Sequence, residues 1–137
     1  MDNFYRENIL DHYRNPRNFG NMEKPDFSFE EENITCGDRI GIQIKIAPPS
    51  KGQNELTAII KDIKFHGEGC AISMASASML TDKVKKMDIK SVKNMDKDDI
   101  LALLQIDLTP SRLKCALLPL EALQKTLLSK QLRQLPV

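Results

Sequence analysis

Between Ile40 and Ile46 every second residue is isoleucine, in the order Ile-Gly-Ile-Gln-Ile-Lys-Ile. A period of two puts all the isoleucines on one face of an extended chain, so the stretch is predicted to be a half-buried strand. Pro48-Pro49-Ser50-Lys51-Gly52 reads as a turn, and Leu56 to Phe65 as a second strand pairing with the first in an antiparallel hairpin. Phe27 to Ile34 adds a third strand, although Glu30-Glu31-Glu32 counts against it.

The remaining segments read as helices. Phe4 to Tyr13 carries Tyr5, Ile9 and Tyr13 at intervals of four and is broken by Asn15-Pro16-Arg17-Asn18-Phe19-Gly20. Ala71 to Lys85 is rich in Ala, Ser and Met, Asp96 to Gln105 starts on an aspartate, and a leucine-rich helix follows Pro110, with Leu120, Leu123, Leu127 and Leu128 on one face. Strands first and helices afterwards predict an α+β domain: a small antiparallel sheet of about three strands with helices packed on one face. The 137 residues fit one domain spanning 1–137, long enough to bury a core without staples.

Charge excludes more than it indicates. Lys and Arg number 20 against 19 Asp and Glu, a net charge of +1, so the totals give no case for nucleic acid or an anionic membrane. No apolar run approaches a membrane span, and Met1-Asp2-Asn3-Phe4 lacks the layout of a signal peptide, which makes the cytoplasm the expected compartment.

There are three cysteines, an odd number that argues against a closed disulfide framework. Cys36 precedes Gly37 and Asp38, and a glycine between them permits a bend that turns thiol and carboxylate toward one point; a turn capped by Asp38 is the plain alternative. Cys70 follows Gly67-Glu68-Gly69 and opens a helix, where free backbone N–H groups favour thiolate. Cys115 has Arg112 and Lys114 close by; Pro119 is awkward except in a helix's first turn, which puts Cys115 at or near the helix start. Three thiols and a carboxylate make a tetrahedral set for zinc or one ligand for each corner of a small iron–sulfur cluster. The spacing is not the tight C-x-x-C of zinc ribbons, so on the residues alone a shared metal site and three unrelated buried cysteines both stand. His12 and His66 read as surface or partly packed side chains, with His66 a nearby ligand or proton carrier as the alternative, and Met74, Met79, Met87 and Met95 as core filling.

With Thr35-Cys36-Gly37-Asp38-Arg39, Gly67-Glu68-Gly69-Cys70-Ala71-Ile72-Ser73-Met74 and Arg112-Leu113-Lys114-Cys115-Ala116 in order, behind an N-terminal Tyr5 to Asn18 segment, the chain resembles the U-type iron–sulfur scaffold family of IscU, SufU and the N-terminal domain of NifU. The resemblance implies a SufE/NifU-like fold and one surface site formed by Cys36, Asp38, Cys70 and Cys115. It implies a cysteine desulfurase as sulfur donor, recipient apo iron–sulfur proteins or downstream assembly factors as acceptors, no nucleic-acid or membrane partner, and room for a weak homodimer. On this reading the site assembles a transient [2Fe–2S]-type cluster and passes it on. The second reading is a zinc-dependent sulfurtransferase of the SufU type, with Cys115 as persulfide acceptor. A structural zinc domain is the third, disfavoured because structural sites are closed while these cysteines stand beside glycines and helix ends. Lys114 stands where the IscU branch has histidine, Leu108 to Arg112 lacks that branch's chaperone-binding stretch, and Ile34 and Pro119 replace more typical residues. Lys114 and Ala75-Ser76-Ala77-Ser78 are similar to SufU, but the segment between Cys70 and Cys115 is short for it.

Overall fold

The computed structural model describes residues 2–33, 37–49, 52 and 55–134. The alternating isoleucines form the middle of strand β2 (Asp38–Ala47), which pairs antiparallel with β1 (Phe27–Asn33) on one side and β3 (Ile59–Glu68) on the other. Ile42 stands opposite Phe29 and Phe65, and Ile44 opposite Phe27 and Ile63, so the strands share one apolar face. A register shift after Lys45 brings Ile46 opposite Ile60. Ile40, Ile42, Ile44, Ile60, Ile63 and Phe65 are all fully buried.

Among the described residues five helices accompany this sheet: α1 (Asp2–Arg14), α2 (Ala71–Val84), α3 (Ile89–Lys93), α4 (Lys97–Leu104) and α5 (Pro110–Gln134). Helix α5 lies against β1 and β2, α2 lies against β3 and α5, and α1 packs on α2. The result is the expected α+β arrangement of a three-stranded antiparallel sheet with helices on its apolar face. Helix α2 sits in the middle, and every side chain from Ser73 to Thr81 is buried. Small residues let its neighbours come close, and its hydroxyls find partners. Ser76 donates to the Ala116 carbonyl at 2.6 Å, Thr81 donates to the Ala77 carbonyl at 2.8 Å, and the Ser78 oxygen accepts the Arg17 N–H at 2.8 Å. Pairing buried polar groups this way avoids a cost of about 1–3 kcal/mol each.

Asn18 to Gly20 runs along the free edge of β3: Phe65 N–H donates to the Asn18 carbonyl and Gly20 N–H to the Phe65 carbonyl. Phe19, half exposed, meets the Phe65 ring edge-on. An otherwise unpaired edge is thereby covered.

Several expectations change. The glutamate run does not prevent β1, because Glu30 and Glu32 face outward while Glu31 faces inward and pairs with Lys125 of α5. β3 begins only at Ile59, after a single 3-10 turn over Glu55–Thr57. The predicted Pro48–Gly52 turn falls partly outside the described residues, since these omit Ser50 and Lys51. The short helix α3, with Asp88 capping it through the Ser91 N–H, was not foreseen. In α1 Ile9 is buried but Tyr13 is exposed, because a spacing of four drifts by about 40° per step around a helix of 3.6 residues per turn. Leu128 of α5, one residue and about 100° around the helix from Leu127, is 52% exposed, while Leu120, Leu123 and Leu127 stay buried. Pro119 lies well inside α5 rather than in its first turn, since the helix begins at Pro110. Met74, Met79 and Met95 are buried, and Met87 packs against the same core. Among the described residues no helix is long and apolar enough to cross a membrane.

Candidate metal centre

β2 begins and β3 ends at the same edge of the sheet. The Gly37 N–H donates to the Asn33 carbonyl at 2.8 Å, and Gly37 adopts a φ of +77°, which starts β2 at Asp38. On the other side Gly67 pairs with Ile40 at a φ of +140°, where any Cβ would overlap the Arg39 carbonyl oxygen. Two residues later Gly69 lets the chain pass so close that a Cβ there would overlap Ser73 Oγ and sit 3.2 Å from the Asp38 carboxyl carbon. Gly69 lets the Asp38 carboxylate lie against the start of α2, while the expected convergence of Asp38 with Cys36 falls outside the described residues.

Cys70 is the N-cap of α2, extended at φ −72° and ψ 171°, and its side chain makes no capping hydrogen bond. Its carbonyl instead accepts the Met74 N–H at 3.0 Å and the Ser73 hydroxyl at 3.1 Å. Cys115 comes from the second turn of α5, and the α2–α5 packing carries it to the same point. Ligand atoms of Asp38, Cys70 and Cys115 all lie within 4.8 Å of one another. Asp38 is 5% exposed and Cys115 6%, while Cys70 is partly exposed. Asp38 Oδ2 is buried and has no hydrogen-bond partner among the described residues.

That orphan oxygen decides what the cluster suits. A buried carboxylate oxygen without a donor is costly, and a cation held jointly with two sulfurs would supply the missing charge. Two soft sulfurs and one hard oxygen suit zinc or iron better than magnesium or calcium. About a single zinc ion, with Zn–S near 2.3 Å, neighbouring ligands stand about 3.8 Å apart, so a small inward movement closes the set. The fourth predicted ligand, Cys36, lies outside the described residues, joined directly to Gly37.

The two histidines lie elsewhere. His66 lies on the outer face of the sheet, across Gly41, with Nε2 3.5 Å from Glu30. His12 reaches Ser78 Oγ at 2.7 Å. Arg112 and Lys114 are exposed. Beside the centre, a cleft of about 390 Å³ is floored by Ile9, Leu10, Ile72 and Ile106 and rimmed by Arg6 and Arg112. The contributions of Ser73 and Ser76 were not legible beforehand, since each acts through a backbone carbonyl.

Comparison with known proteins agrees with this architecture. Residues 4–135 match the family described as the NifU-like N terminal domain. The zinc-dependent sulfurtransferase SufU of Bacillus subtilis (strain 168) is 39% identical across 91% of this chain and 90% of its own length. The iron–sulfur cluster assembly scaffold protein IscU of Haemophilus influenzae is 29% identical across 95% of this chain and 98% of its own. The solved N-terminal part of a nitrogen-fixing NifU-like protein from Brucella abortus shares the fold, with a TM-score of 0.68 at 16% identity over 96% of this chain and 97% of that one. From a match that runs nearly end to end, the chain belongs to the NifU-like N-terminal domain family.

Proposed function

We propose that this protein is an iron–sulfur cluster assembly scaffold: it builds a [2Fe–2S]-type cluster on Cys36, Asp38, Cys70 and Cys115 with sulfur from a cysteine desulfurase, and passes it to recipient apo-proteins. The observation that carries this reading is the meeting of Asp38, Cys70 and Cys115 at the sheet end, with a buried carboxylate oxygen left for a cation. Iron prefers thiolate, so an oxygen ligand loosens the grip and allows release. The partly exposed Cys70 and the adjacent arginine-rimmed cleft give a partner protein somewhere to approach. An odd set of three cysteines suits a reducing cytoplasm.

A second reading has its own support. The ligand atoms are close enough for one ion, and the Bacillus subtilis relative is zinc-dependent. On this reading Cys36, Asp38, Cys70 and Cys115 would hold zinc, which would keep the thiols as thiolates, and Cys115 would attack the outer sulfur of the desulfurase persulfide. A new S–S bond forms on Cys115, the desulfurase's own S–S bond breaks, and its cysteine departs as thiolate. With Cys115 only 6% exposed, the transfer requires that side chain to move outward.

Purification without oxygen followed by zinc, iron and sulfide analysis tests both readings. A coloured cluster that transfers to apo-ferredoxin supports the scaffold. Tight zinc at one per chain, with strong stimulation of the desulfurase, supports the sulfur acceptor. If alanine at Cys115 changes neither activity, Cys115 has no part in the site.

A further inference from the structure

Cys70 and Cys115 belong to different helices, and what sets the distance between them is the α2–α5 contact. That contact contains a buried interhelical hydrogen bond close to the centre: Ser76 Oγ donates to the carbonyl of Ala116, the residue after Cys115, at 2.6 Å. Both residues are buried, at 1% and 0% exposure. The turn it grips is unusual. Pro119 has no N–H with which to close the customary bond back to residue 115, and its ring crowds that turn of α5. A helix relieved of a ladder bond bends more readily, so the position of Cys115 depends more than usual on what holds it from the side.

We propose that Ser76 is a positioning residue for the metal centre, its hydroxyl fixing the Cys115 turn of α5 at the distance from the α2 N-terminus at which the ligands converge. This rests on the reading that the centre binds a metal. Ser78 supplies an internal control. It is buried on the same helix and hydrogen-bonded, but its partners are His12 and Arg17, away from α5. Ser76→Ala loses one buried hydrogen bond and Ser78→Ala loses two partly buried ones, yet only the first releases Cys115.

The test is cobalt(II) titration of the intact chain against a chelator, following the thiolate charge-transfer and d–d bands, with thermal melts of each metal-free variant. The expected result is an affinity roughly tenfold weaker in Ser76→Ala, the factor set by about 1.4 kcal/mol, with altered d–d bands. Ser78→Ala should melt at least as low as Ser76→Ala but bind within about twofold of the parent. Ser76→Thr, which keeps the hydroxyl, should restore most of the affinity. Equal weakening in Ser76→Ala and Ser78→Ala would overturn the proposal. Should the parent take up no cobalt at all, the metal reading fails, and the geometry is decided separately. In a Cys36→Ser background, equilibration with oxidised and reduced glutathione reports how readily the Cys70 and Cys115 thiols are joined, two glutathione thiols being released per bond. Ser76→Ala must then disfavour that bond relative to Ser78→Ala, and parity sinks the assignment.

Discussion

Asp38 holds a carboxylate oxygen in the interior without a donor among the described residues, beside Cys70 and Cys115. In the metal-free protein this is a liability: an unsatisfied buried polar group costs about 1–3 kcal/mol. Asp38→Ala should therefore make the metal-free chain more stable, by about 1 kcal/mol once the small cavity is allowed for. The same change should reduce the stabilisation gained on adding zinc, and on the scaffold reading slow cluster release. Thermal melts with and without zinc check it, and a metal-free variant less stable than the parent would show that Asp38 is satisfied in solution. Gly67 makes the opposite case. Its φ of +140° and the Arg39 carbonyl in the place of a Cβ leave no room for alanine. Gly67→Ala should cost roughly 3 kcal/mol or more, since strained backbone and steric overlap add. Urea unfolding measures it; a loss under about 1 kcal/mol would mean that β3 relaxes freely at its end.

Helix α1 is tied to α2 through His12 and Ser78, and its stability should depend on pH. Burial, the largest influence, and then Arg17 lower the His12 pKa below its ordinary value, against weaker raising by Asp11 and Asp82. The folded chain then takes up a proton at lower pH than the unfolded chain. Stability from this group is complete above about pH 6.5 and declines as the pH falls through the window below it. His12→Gln removes the titration and keeps a group able to bond Ser78. Between about pH 7.5 and about pH 5.5 the parent should lose more unfolding free energy than the variant, and equal losses would remove His12 from the account. How legible such elements were depends on where their partners lie. The period of two in Ile40–Ile46 is local, so β2 and its buried face could be read directly. Glu31 could not: its partner Lys125 is far along the chain, and only folding shows that one glutamate of three turns inward. Helix α3 is one short turn of mixed residues and carries no periodicity to read. Pro119 is costly on local grounds alone, but α5 continues through it because the helix is held in place by its packing on α2 and β1. At the site, Asp38, Cys70 and Cys115 were each legible from a glycine or helix-end setting, but their convergence is a property of the packed elements. Cys36 remains outside the described residues.

Across the whole molecule, the centre brings together three pieces of chain that lie far apart in the sequence: the first residue of β2, the cap of α2 and the second turn of α5. A metal bound there would act as a crosslink present only in the folded state. At a free concentration about 100 times Kd it adds about 2.7 kcal/mol, which in a domain of this size raises Tm by roughly 10 °C. Removing it with a chelator should return the melt to the metal-free value. Hydrogen exchange adds the location. Amides in the first turn of α2, around Ile72 to Met74, and in α5 from Leu113 to Leu117 exchange by local opening of the segments the ion ties together, so metal should slow them beyond the general gain. Helices α3 and α4 contribute none of the ligands, and α4 has its own cap, with Asp96 and Asp99 bonding each other's backbone N–H groups. Their locally exchanging amides should be unaffected. Slowing confined to α2 and α5 would fix the crosslink at the sheet end, whereas equal slowing in α3 and α4 would mean that metal binds elsewhere or merely shifts global unfolding.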